Sequence, residues 1–88
     1  MARNALGNAY STAGLRDQAI NQFRLAIESD PEKYEAYYNL GLVADELGQR
    51  EQAIQAFQGF LERAPAEMQP HIKRARDRVE ALSVGADQ

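Results

Sequence analysis

At 88 residues the chain is long enough for one small domain, which on size grounds buries only about two-thirds of its unfolded surface. Its 13 acidic and 10 basic side chains leave a formal charge of -3, so there is no general attraction to nucleic acid or to an anionic membrane. Cysteine is absent and histidine occurs once, which excludes disulfides and thiolate metal sites and leaves few ways to assemble a nucleophile.

Met1 leads directly into the first helical pattern with neither a capping residue nor a linker, which reads as a domain cut from a longer chain whose upstream helices cover the first unit. No apolar run approaches the roughly 20 residues of a membrane-spanning helix and no signal-peptide pattern is present, so a cytoplasmic setting is the expectation.

Leu6, Ala9 and Tyr10 form a first apolar stripe of helical period, and Ala19, Ile20, Phe23, Ala26 and Ile27 form a second. Gly14 falls between them, where a glycine can end a helix with left-handed backbone at no side-chain cost. Pro31 closes the second stripe, because it lacks an amide donor and restricts the residue before it. The same order then returns: Tyr37, Leu40, Val43, Ala44 and Leu47, then Gly48, then Ala53, Ile54, Phe57, Phe60 and Leu61, then Pro65. Sliding the chain by 34 positions superimposes residues 2–33 on 36–67 with 11 identities in 32 comparisons, so the architecture is modular. Gly7 and Gly41 lie inside helical patterns, where glycine costs roughly 1 kcal/mol relative to alanine. Close approach of a neighbouring helix would offset that cost, and Ala19 and Ala53, twelve residues further on, are the expected partners.

Beyond Pro65 a further helix is predicted, with Pro70 in its first turn and Met68, Ile72, Ala75, Val79 and Leu82 in one apolar stripe. His71, Arg74 and Arg78 are expected at the positions that would receive another repeat, so further stacking would desolvate charge and the helix reads as a cap. The division is then repeat one at 1–33, repeat two at 34–67, a capping helix at 68–82 and a frayed tail at 83–88.

Leu6, Gly7, Tyr10, Ala19, Phe23, Ala26 and Pro31, answered by Tyr37, Leu40, Gly41, Ala53, Phe57 and Pro65, resemble the pattern of the tetratricopeptide repeat family. The resemblance spans residues 2–67. It implies an all-α solenoid of two helical hairpins plus a capping helix, five helices in a short right-handed superhelix, with a non-catalytic role in protein-protein interaction. Three positions depart from the family: Arg3 stands for a large aromatic, Ala44 for a tyrosine, and Phe60 for a small residue. The last is expected to change how the following helix stacks, because a ring replaces a close-packing methyl.

No constellation points to catalysis or to a cofactor. His71 sits among arginines and Asp45 is adjacent to Glu46, and solvated faces account for both. Lys73, Arg74, Arg76 and Arg78 form a basic run, but it lacks interleaved aromatics and includes Asp77 and Glu80, so nucleic acid is not the expected partner. Helical phase places Asn4, Asn8, Ser11 and Thr12, then Glu35, Tyr38, Asn39, Leu42, Asp45 and Glu46, then Gln69, Lys73 and Arg76 on one concave face. An extended peptide or partner helix is the expected ligand there, with Asn8, Tyr38, Asn39 and Leu42 central, Asn4 in the same groove, and Lys73 and Arg76 at one edge.

Family members that bind chaperone C-termini clamp the terminal carboxylate with lysine, asparagine and arginine. Asn8 and Asn39 match the two asparagine positions and Lys73 stands at the arginine position, but Asn4 and Gln69 occupy the two lysine positions, which argues against that ligand. The competing expectation is a structural role, in which the domain forms a weak homodimer or spaces its neighbours through the edge of the first helix at Ala2 and Ala9.

Overall fold

The computed structural model describes Gly7, Asn8 and residues 14–86. Gly7 and Asn8 are helical, and four longer helices follow: α1 (Arg16–Ser29), α2 (Tyr34–Glu46), α3 (Arg50–Arg63) and α4 (Gln69–Ala86), the last preceded by a short 3-10 turn at Ala66–Met68. The fold is all-α, as the repeat predicts. The closing helix differs from expectation at its end, because α4 continues through Ser83 and Val84 to Ala86 in place of a frayed tail from residue 83. No proline interrupts the segment, and Gly85 costs a helix only about 1 kcal/mol relative to alanine.

Local chemistry ends the helices where the sequence says. Gly14 and Gly48 have φ of +81° and +74°, the left-handed conformation that glycine alone adopts cheaply. At the end of α2 the Gln49 amide donates to the Ala44 carbonyl at 2.9 Å and the Gly48 amide to Asp45 at 3.1 Å, the paired bonds of a Schellman cap. Before the prolines, Ala64 takes extended backbone at ψ 133° and Asp30 leaves the helical region at ψ 87°, consistent with the restriction imposed by the next ring.

The core divides along the array. Ala19, Ile20 and Phe23 of α1 interlock with Leu40 and Val43 of α2 and Ala56 of α3. A second cluster joins Tyr38 and Ala44 of α2, Ala53, Phe57 and Phe60 of α3, and Ala75 of α4, with Met68, Ile72, Val79 and Leu82 packed against it. Each cluster fuses a helical pair to the next helix, so burial is a nearest-neighbour property. Leu47, expected in the apolar stripe of α2, is 38% exposed, because it follows the last residue of that helix and precedes the turn glycine.

The internal glycines are seats for rings. A Cβ on Gly41 would lie 2.6 Å from Phe57 ring carbons, and one on Gly7 would lie 2.6 Å from Phe23. The expected partners Ala19 and Ala53 are fully buried, but the close approach comes from the phenylalanines four residues beyond them. Gly59 plays the same part for Tyr37, whose ring lies 2.5 Å from its hypothetical Cβ. That ring is further held by the Arg63 guanidinium, 4.5 Å from its centroid, and by its hydroxyl, which donates to the Pro31 carbonyl at 2.9 Å.

Phe60, the departure expected to affect stacking, is fully buried and lies between Tyr34 and Tyr38, with ring centroids 6.2 and 4.9 Å away. It thereby fills the space under α4 that a small residue would leave.

Candidate functional site

The concave face is built by α2, α4 and the segment carrying Asn8. A cavity of ≈ 250 Å³ opens between α2 and α4, walled by Asn8, Glu35 and Asn39 on one side and Met68 and His71 on the other. Tyr38 and Phe60 form its floor. A second depression of ≈ 130 Å³ adjoins it, lined by Asn8, Phe23, Asn39, Leu42, Val43 and Glu46. Asn8 and Asn39 belong to both, so the two form one line across the face. Their sizes suit individual side chains of a peptide, since a pocket for a compact small ligand begins near about 300 Å³.

Asn8, Asn39 and Leu42 are thus brought together as the spacing predicts. Asn4, Ser11, Thr12 and the edge residues Ala2 and Ala9 lie outside the described residues. Tyr38 differs from its expected role as an open platform: it is only 7% exposed, because the rings of Phe57, Phe60 and His71 crowd it, His71 edge-on at 5.0 Å. It is a floor residue whose removal would open the core.

The cations of α4 are distributed differently from the expectation. His71, Arg74 and Arg78 turn toward α2, and thus toward the preceding repeat and not the next. Arg74 Nη1 donates to Tyr38 Oη at 3.5 Å, and Arg78 clasps Asp45 through Nε and Nη2 at 2.7 and 2.9 Å. The expected edge residues Lys73 and Arg76 line neither cavity. Lys73 instead pairs with Asp77 on its own helix at 3.2 Å with 78% of its side chain exposed, and Arg76 is exposed. Lys73 lies 200° around α4 from His71, and the ring contact of His71 with Tyr38 fixes which side of the helix faces inward. The signal was present in the sequence as the 71, 74, 78 row; only its partner was unknown. Phe60 and Met68 enter the cavity from the core stripes, where periodicity marks them solely as apolar.

The hydrogen bond to Asp45 raises the Arg78 guanidinium above its ordinary value, opposed in part by burial and helped by the Coulombic attraction. A folded-state value raised in this way contributes stability that is complete below the ordinary arginine range and lost only as pH climbs past it. The pair spans solvent-facing surface, with side chains 42% and 21% exposed. Arg78→Ala is therefore expected to cost only about 0.5–1 kcal/mol, and Arg78→Lys to recover little of it, because lysine lacks the two-pronged fork. Urea titrations of the three proteins check this; full recovery by lysine would show that charge alone matters.

With these contacts the basic run of α4 is split among three neighbours, Asp77, Tyr38 and Asp45. Among the described residues no group of three or more metal-ligating side chains converges, and no helix is long and apolar enough to cross a membrane. No curated protein matches the chain significantly. The family model for the tetratricopeptide repeat matches residues 4–67, the stretch in which the 34-residue period holds and in which Phe23 and Phe57 pack on Gly7 and Gly41. The chain therefore belongs to the tetratricopeptide repeat family, whose members are generally protein-protein interaction modules.

Proposed function

We propose that this domain is a non-catalytic adaptor that receives an extended peptide or a partner helix along its concave face. The observation that carries the reading is the continuity of the two depressions through Asn8 and Asn39, with Leu42 half-buried in one of them and Tyr38 and Phe60 flooring the other. Alternating apolar floor and amide walls suit a peptide, whose side chains need burial while its backbone needs donors and acceptors. Asn8, Asn39 and Leu42 are the contact residues of this reading, with Asn4 extending the row in sequence. His71, which lines the larger depression, takes the edge that helical phase assigns to Lys73 and Arg76.

Leu42→Glu tests it, because that side chain is half-buried on the groove and its charge would face the ligand. Loss of one buried leucine contact, worth about 1.5–3 kcal/mol, is expected to weaken a partner peptide by about tenfold or more. Gln55→Glu, on an exposed position that lines a different depression beside Arg24 and Glu28, is expected to leave affinity unchanged. Fluorescence anisotropy with a peptide selected from a displayed library gives both numbers, and far-UV circular dichroism verifies that the variants keep their helicity. Equal binding by the leucine and glutamate proteins would refute the groove.

A further inference from the structure

Of the three carboxylates that α2 carries, two are already neutralised across the fold: Asp45 by Arg78 at 2.7 Å and Glu46 by Arg16 at 2.9 Å. Glu35 is the third. It has no ion-pair partner among the described residues, is exposed, and stands on the wall of the larger concave cavity. Below that carboxylate the cavity is apolar, with half-buried Met68 beside the buried rings of Tyr38 and Phe60, while Asn8, Asn39 and His71 add polar walls. The cations of α4 are directed elsewhere: Lys73 to Asp77 on the solvent side, Arg78 to Asp45, and Arg74 to the Tyr38 hydroxyl, outside the cavity lining.

An uncommitted carboxylate above an apolar floor has a defined complement. The occupant needs a hydrocarbon stem to lie against Met68 and the small part of Tyr38 that stays exposed, and a cationic head to meet the acid, which describes lysine and arginine. A carboxylate ligand would instead be brought against Glu35 with no lysine or arginine among the described residues of the cavity wall, and a short polar side chain would leave Met68 uncovered. An aliphatic side chain would cover the floor and leave the acid unpaired. We propose that this cavity selects a basic side chain, lysine or arginine, on the peptide that the concave face receives; the inference rests on the groove reading above and adds the chemistry of its specificity.

The experiment uses the full chain and a set of acetylated, amidated peptides, so that no terminal charge intervenes. The peptides are built on one library-selected sequence with lysine, arginine, methionine or glutamate at each position in turn. At one position lysine and arginine are expected to bind about fivefold more tightly than methionine, the upper end for a solvent-exposed pair, and glutamate more weakly still. Glu35→Gln is expected to bring the lysine and methionine peptides to within about twofold of each other while leaving the methionine peptide unaffected. Glu35→Lys is expected to invert the order, so that glutamate becomes the preferred residue at that position. Glu35 is exposed in the first turn of α2, so both variants should fold, as circular dichroism will verify.

A lysine preference that survives Glu35→Lys would overturn the proposal, as would a set in which no position discriminates by charge although Leu42→Glu still abolishes binding. In that last case the groove stands and its proposed specificity fails. Binding insensitive to both Glu35 and Leu42 variants overturns the groove and the specificity together.

Discussion

Phe60→Ala is expected to cost about 3–5 kcal/mol, the usual penalty for emptying a fully buried aromatic site. A chain of this size is stable by about 4–13 kcal/mol at the usual stability per residue, so one ring accounts for a large share of the total. The size of the effect follows from where Phe60 sits. It is completely buried, its ring is 4.9 Å from Tyr38 and 6.2 Å from Tyr34, and it belongs to the cluster that attaches α4 to the second hairpin. Alanine is the residue the first repeat carries at the corresponding position, Ala26, which is itself buried at 2% exposure. The substitution thus tests whether the site needs the ring or merely the repeat's ordinary small residue.

Equilibrium unfolding in urea, followed by far-UV circular dichroism and by tyrosine fluorescence, gives the answer. Besides the lower midpoint, a smaller denaturant slope is expected, because α4 would detach from the native array and less surface would remain to be exposed. A loss below about 1 kcal/mol would mean that Tyr34 and Tyr38 close over the gap, and that the attachment of α4 does not depend on Phe60.

Gly41→Ala is expected to destabilise the domain by about 1–3 kcal/mol, in the direction opposite to helix propensity. Propensity alone would favour alanine in this helix by about 1 kcal/mol. The packing term wins because the new methyl would lie 2.6 Å from two carbons of Phe57, and that ring is fully buried with no room to swing away. The double variant Gly41→Ala with Phe57→Leu separates the two effects. If the methyl and the ring compete for the same space, the paired loss should be smaller than the sum of the single losses, by more than the few tenths of a kcal/mol that independent sites show. Additive losses, or a stabilised Gly41→Ala protein, would show that the helices separate freely and that the glycine is not a seat.

These two residues also mark how far the sequence carries. Gly41 was legible as a helix position that needs an external reason, and the repeat of Gly7 supplied a second instance. The partner was not legible, and the alanines twelve residues on were the wrong choice. The Cβ vector of Gly41 meets the residue sixteen positions on, Phe57, because the hairpin brings α3 across α2 at the level of the ring. Spacing on one helix follows from 3.6 residues per turn, whereas the axial offset between two helices depends on how their ridges interlock.

The concave face divides in the same way. Asn8, Asn39 and Leu42 share one surface because each is placed by the phase of its own helix and by the repeat register. Tyr38 has the right phase too, yet whether it is platform or floor depends on how closely α4 covers it, and His71 at 5.0 Å settles that.

By itself the sequence determined the period, the helical hairpins, the left-handed glycines at 14 and 48, the proline stops at 31 and 65, and the apolar stripe of the closing helix. All of these depend on residues within a turn or a hairpin of one another, so local conformational preference and burial pattern suffice. The tertiary structure alone decided which side of α4 meets α2, and with it the clasp of Arg78 on Asp45, 33 positions apart, and the turning of Lys73 and Arg76 to solvent. Those assignments depend on the rotation of one packed helix against another. A shift of that rotation by one residue, about 100°, exchanges the charges that face the groove for those that face water.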